Sequence, residues 1–235
     1  MIYADPTRLH ILVPFLYTDQ IWAGGAVYLR NLLKILSSLP EPEQPRVLLL
    51  DVLGAPAAEA LRAAFQEPVV AGIFTSEGRP TALKPALASY LIDPQTQALR
   101  GDNIQRLLTS IDASFPVTYP LWGGSNLPNP IYWIPDFQHK RLPDFFSADE
   151  RASRDGKFGG IAGSDAALLL SSRSALTDYQ TYFPNNRSRN HVWSFCSCFE
   201  DREVTGATGL PAGLPSHFFY VANQFWAHKE IGRAH

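Results

Sequence analysis

A chain of 235 residues, 46% hydrophobic and 18% charged, is long enough to bury a sizeable core and too apolar to be a disordered tail. Its formal net charge of −2 supplies no attraction to nucleic acid. No apolar run approaches the ~20 residues of a membrane span, and the first residues lack a signal-peptide pattern. Cys196 and Cys198 are the only cysteines. A disulfide across that short spacing would be strained, and no His or acidic partners for a metal stand out, so two ordinary thiols in a reducing cytosol are expected.

Strands and helices alternate along the chain. "LHILVPFLY" (residues 9–17) is a short aliphatic run suited to a buried strand. Residues 24–39 follow with helical spacing, Val27, Leu29, Leu32, Leu33, Ile35 and Leu36 falling on one broad face. Pro40, Pro42 and Pro45 end that helix. Residues 46–53 and 68–74 read as strands, with a helix over 55–65 between them. Helical stretches are expected near 81–91 and 102–110.

The second half repeats the rhythm. Strands are predicted over 112–117, 130–135, 165–172 and 191–195. A helix is predicted over 148–164 despite Gly156, Gly159, Gly160 and Gly163, and another over 173–183, stopped by Pro184. The alternation implies an α/β fold: a Rossmann-like, doubly wound parallel sheet covered on both faces. Residues 200–216 carry charge, glycine and proline with no apolar periodicity and read as a linker. Residues 218–222, "FFYVA", then read as the first strand of a second unit.

Several stretches carry candidate chemistry. Gly24 and Gly25 open a helix after the first strand, where glycine permits close backbone approach and helix N–H groups favour an anion. They do not form G-x-G-x-x-G, and the alternative is a tight turn. Asp51 ends the second strand, where it is either a ribose contact or a turn aspartate. "WIPDFQHKRLPDFFS" (residues 133–147) sets Asp136, His139, Lys140 and Arg141 on a loop just past a strand, where ligands of parallel sheets bind. Asp136 can accept from a sugar hydroxyl and His139 can donate to a sugar or phosphate oxygen; a plain surface loop is the alternative. Ser171 and Ser172 precede a helix that they are expected to cap, a ligand contact being the alternative. His10, His191 and His217 have no spaced partners, so no metal site is expected.

Three stretches together resemble glycosyltransferase family 4, of the GT-B fold. A sub-group of that family carries "WIPDFQH..LP..FS", "LLLSS..A..D....FP" and "VNQFW.HKNH". This chain has "WIPDFQHKRLPDFFS", "LLLSSRSALTDYQTYFP" and "VANQFWAHKE", in the same order, over residues 131–229. The resemblance implies two Rossmann-like lobes facing a cleft, an N-terminal one for the acceptor and a C-terminal one for a nucleotide-sugar donor. It implies transfer with retention and without a metal or other cofactor. Gly24 and Gly25 would line the donor-phosphate side. Asp136 and His139 would face the acceptor or transferred sugar. Lys229 keeps the spacing of the lysine in G-R-x-x-x-x-K, with Asn223 and Gln224 in place of Gly-Arg, and would meet the diphosphate.

On this resemblance, residues 1–199 form the acceptor-side domain, 200–216 the linker and 217–230 the start of a donor domain truncated early. The tail "IGRAH" matches one reading frame of a common sequencing adapter, so residues 231–235 are expected to be artefactual and lie outside fold reasoning. The implied partners are a nucleotide sugar and a glycan or lipid-linked acceptor, in the cytoplasm, with peripheral contact at the inner membrane face left open. The alternatives are a sugar-nucleotide epimerase, whose acidic catalytic residues have no evident counterpart, and a non-catalytic binder of glycans or protein partners. A nicotinamide oxidoreductase is disfavoured by the absent G-x-G-x-x-G.

Overall fold

The computed structural model describes residues 8–118 and 127–194. Within them, eight strands form one sheet in the order β4-β3-β2-β1-β5-β6-β7-β8. In chain order these are β1 (His10–Phe15), β2 (Arg46–Asp51), β3 (Val70–Thr75), β4 (Pro80–Leu83), β5 (Ala113–Val117), β6 (Pro130–Ile134), β7 (Ala167–Leu170) and β8 (Arg189–Val192). Helices α1 (Asp19–Ser38), α2 (Ala58–Ala64), α3 (Pro85–Leu91), α4 (Gly101–Thr109), α5 (Gln138–Arg141), α6 (Ala148–Ala162) and α7 (Arg173–Tyr182) connect them. The expected linker, the strand over 218–222 and both cysteines lie outside the described residues.

All neighbouring strands pair in parallel except β3 and β4. That exception corrects the helix expected over 81–91, whose first residues are strand. The cause is local: Thr75 N donates to the Arg79 carbonyl (2.8 Å) and Gly78 takes φ +75°, so "TSEGR" closes a hairpin. Pro85 then starts α3 from its first position, where its missing N–H costs nothing.

Alternation within each strand sorts side chains onto two faces. Val13, Phe15, Val47 and Leu49 pack with Leu29 and Leu33 of α1 and Leu61 of α2. Leu12 and Leu48 pack on the other face with Leu87 and Leu91 of α3 and Leu107 of α4. In β3 the pairing jumps from Val47↔Val70 to Leu48↔Gly72, leaving Ala71 as an extra residue. The bulge keeps Val70 and Ile73 on the α1 face and turns Ala71 and Phe74 to the other. Each fully buried leucine or phenylalanine here contributes about 1.5–3 kcal/mol.

Strand addition runs one way from β1 to β3, then reverses to run from β5 to β8. The reversal moves the crossover helices to the opposite face, as right-handed connections require. Accordingly α6 and α7 pack Phe158, Ile161, Ala175 and Tyr179 against Ile134, Leu168 and Leu170, while Trp133 of β6 faces α1. The molecule is thus α/β, with a mostly parallel sheet flanked by helices, consistent with a Rossmann-like class. The switch point lies between β1 and β5, and the carboxyl ends of β1, β5, β6 and β7 all lie at the same edge of the sheet.

Candidate functional site at the carboxyl edge

Helix α1 begins at the switch point in two pieces. Thr18 caps a first turn, its Oγ1 accepting from Ile21 N (3.3 Å). Trp22 then leaves helical geometry (φ −159°, ψ 95°), and the main helix follows it. Gly24 and Gly25 therefore sit in the first turn after the break, close to the expected helix start at residue 24. Gly24 is exposed and Gly25 buried. Val27, expected on the buried face, is exposed instead, and Gly25 and Ala26 face inward.

The glycines have an intramolecular neighbour. A Cβ on Gly25 would stand 2.4 Å from Trp22 Cε3 and 2.8 Å from Tyr17 Cγ; one on Gly24 would stand 3.0 Å from Trp22 Nε1. Trp22 meets Tyr17 edge-on (4.9 Å between ring centres) and stacks on Trp133 (5.5 Å, 23° between planes). Trp133 also stacks on Tyr28 of α1 (4.1 Å) and donates from Nε1 to Ser171 Oγ (2.9 Å). Tyr17 donates to Thr118 Oγ1 (2.8 Å), tying the ends of β1 and β5. The packing at the switch point is thus aromatic. Sequence reasoning missed this group; its one signal was a tryptophan directly ahead of Ala-Gly-Gly, a large ring beside residues small enough to receive it.

Asp136 and His139 follow β6. Asp136 is half-buried and its Oδ1 accepts from Gln138 N (3.1 Å), which turns the chain into α5. His139 is only 1% exposed. Its Nε2–H donates to Asp155 Oδ1 (3.0 Å), and Nδ1 is buried with no hydrogen-bond partner among the described residues. Burial, first, and the nearby Arg154 and Lys140 push its pKa below the ordinary 6.5, against the opposing pull of Asp155. Lys140 Nζ donates to Asp155 Oδ2 (2.7 Å). Arg141 donates from Nε to Asp178 Oδ2 (3.0 Å) and from Nη2 to Oδ1. Three consecutive side chains of α5 thereby anchor the β6 loop to α6 and α7. Asp155 was not singled out from sequence, and Asp178 stood only as a matched aspartate of the quoted pattern with no partner assigned, because each lies 15 or more positions from its partner.

The remaining strand ends are accounted for locally. Asp51 Oδ1 accepts from Leu53 N (3.2 Å) and Gly54 N (2.7 Å), the turn reading of that residue. Ser172 caps α7, accepting from Ala175 N (3.0 Å), as expected. Ser171 instead holds the Trp133 indole. Asn223, Gln224 and Lys229 lie outside the described residues. Among the described residues, no group of His, Cys, Asp and Glu could hold a metal ion, and no helix is long and apolar enough to cross a membrane.

Comparison with protein-family models, curated proteins and solved structures found no match for this chain.

Proposed function

We propose that these residues form the acceptor-side lobe of a GT-B glycosyltransferase of the family 4 type, moving a sugar from a nucleotide-sugar donor to a glycan or lipid-linked acceptor. The observation that carries this reading is the switch point between β1 and β5, which brings the glycine turn of α1 and the Asp136 loop to one sheet edge. Ligands of open α/β sheets bind at such a crevice. The motif resemblance over residues 131–229 supplies the reaction class.

In this reading the difficult step is departure of a nucleoside diphosphate, whose growing negative charge needs donors already in place. Lys229, with Asn223 and Gln224 beside it, meets the diphosphate, and the turn at Gly24 and Gly25 faces the same phosphates. The Trp22 indole now lies against that turn, so approach of a phosphate requires the ring to shift. Asp136 accepts from a hydroxyl of the acceptor or transferred sugar. His139 faces inward, so its share is to hold the loop. A second lobe closes over the first, orients the acceptor hydroxyl and excludes water.

The test is a nucleotide-sugar binding screen on the protein, followed by a transfer assay with radiolabelled donor. Saturable binding of one nucleotide sugar, lost in Lys229→Ala, supports the reading. Absence of binding to every nucleotide sugar tested overturns it.

A further inference from the structure

We propose that His139 and Asp155 form an acid-released latch, which pins the β6 loop and α5 rigidly in their seat on α6 only while the imidazole is neutral. This inference goes beyond the transferase reading and does not depend on it. It starts from an asymmetry between the two ring nitrogens. Nε2 faces a carboxylate oxygen at 3.0 Å, while Nδ1 is buried without a partner among the described residues. The ring is therefore the Nε2–H tautomer, and its one bare site for a second proton is Nδ1.

The surroundings of that second proton are hostile. Phe137 lies 6.3 Å from the ring centre, Phe146 6.4 Å and Phe158 5.4 Å, the last two edge-on or nearly so. An N–H placed on Nδ1 has no acceptor among them, and an unmade hydrogen bond in such a site is costly. The charged groups around the ring are Asp155, Lys140 and Arg154. Lys140 from α5 already answers one oxygen of Asp155, and the Arg154 guanidinium of α6 lies over the Phe146 ring at 4.8 Å. Two cations and one shared carboxylate leave a protonated imidazole poorly compensated. The low pKa set by burial is consistent with this geometry.

Protonation therefore drives the ring out of its seat. Lys140 keeps Asp155 as a partner, and Arg141 keeps Asp178 on α7, so the loop swings on two remaining ties rather than unfolding. Asp136, three positions upstream, moves with it. Below the folded pKa of His139 the carboxyl edge is loosened; above it the edge is locked.

The experiment follows the imidazole and the backbone of the full chain together. Long-range proton–nitrogen spectra between about pH 4.5 and pH 8 report tautomer and titration, and amide exchange of residues 137–142, corrected for intrinsic pH dependence, reports the latch. The expected result is an Nε2–H ring titrating below 6.5, with exchange of those amides rising at least about tenfold as it protonates. His139→Gln keeps a donor for Asp155 but cannot titrate, and its exchange is expected not to rise with acid. Asp155→Asn keeps an acceptor and loses the charge, and is expected to lower the titration further. An Nδ1–H ring, titration at or above 6.5, or the same acid-driven exchange in His139→Gln overturns the latch. Because no ligand takes part, failure here leaves nucleotide-sugar binding untouched, and failure of that binding leaves the latch untouched.

Discussion

The indole of Trp22 lies so close to the Cα of Gly25 that a Cβ there would stand 2.4 Å from Cε3. The partner atoms belong to a ring wedged between Tyr17 and Trp133, not to the free end of a flexible chain. Gly25→Ala should therefore destabilise the fold by about 1–3 kcal/mol through overpacking. Gly24→Ala, whose closest approach is 3.0 Å to Trp22 Nε1, should cost less. The discriminating measurement is a double-mutant cycle by urea denaturation. Trp22→Ala should remove much of the penalty of Gly25→Ala; full additivity would show that the glycine is needed for another reason.

The bond from Trp133 Nε1 to Ser171 Oγ joins β6 to the end of β7 beneath the same aromatic group, and both residues are buried. Ser171→Ala leaves the indole N–H without its acceptor and should cost about 1–3 kcal/mol. Trp133→Phe removes that donor and part of the stack with Tyr28 and Trp22, and should cost as much or more. Guanidinium unfolding of both variants checks the expectation, and a loss under about 0.5 kcal/mol for Ser171→Ala would mean that the bond contributes little.

What was legible in the sequence was mostly what period and punctuation encode. Aliphatic runs marked β1, β2 and β7 because buried parallel strands are apolar on both sides. Ser172 was readable as a cap because capping is local chemistry. The strand β4 was missed because "PTALKPALASYL" carries alanine and leucine at spacings that suit a helix, and only the Gly78 hairpin decides otherwise. The boundary of α1 was legible to within a few residues, since its true interruption at Trp22 depends on packing against Trp133, which is 111 positions away. At the site, Asp136 and His139 were visible as ionisable groups past a strand. That His139 turns inward was not visible, because the direction of its ring is set by Asp155 and Phe158 of α6 as well as by nearby Phe137 and Phe146.

Helix α6 forms despite four glycines in or next to it, and its start explains how. Ser147 accepts from Glu150 N (3.2 Å) while Glu150 reaches back to Ser147 N (2.9 Å), a closed capping box. Phe158, Ile161 and Ala162 then bury the inner face. Ser147→Ala should cost about 1 kcal/mol. Gly156 and Gly160 have open space where a Cβ would go and ordinary helical geometry, so Gly156→Ala and Gly160→Ala should each stabilise by roughly 0.5–1 kcal/mol. Thermal unfolding of the two single variants and their combination measures this. A lowered midpoint would show that an unseen contact occupies that face.

Stability should also carry the signature of two buried histidines. His139 titrates low for the reasons above. His10, at the opposite edge of the sheet, is pushed below 6.5 by burial first and by Arg46 second, with Asp112 and the Ser110 carbonyl opposing. A histidine whose pKa is lower when folded takes its proton first in the unfolded chain, so the unfolded state gains as pH falls. Stability contributed by these groups is full above 6.5 and declines as pH drops toward their folded values. The slope is at most about 1.4 kcal/mol per pH unit for each histidine. Carboxylates held low, such as Asp93 by the Thr96 and Gln95 N–H groups and Glu150 by Ser147, lose their contribution only deeper in acid, so the two windows separate. Urea midpoints from about pH 7.5 to pH 5 should fall for the unaltered chain. His10→Gln and His139→Gln should each flatten part of that fall, and a slope unchanged in both would show that neither ring is held neutral by the fold.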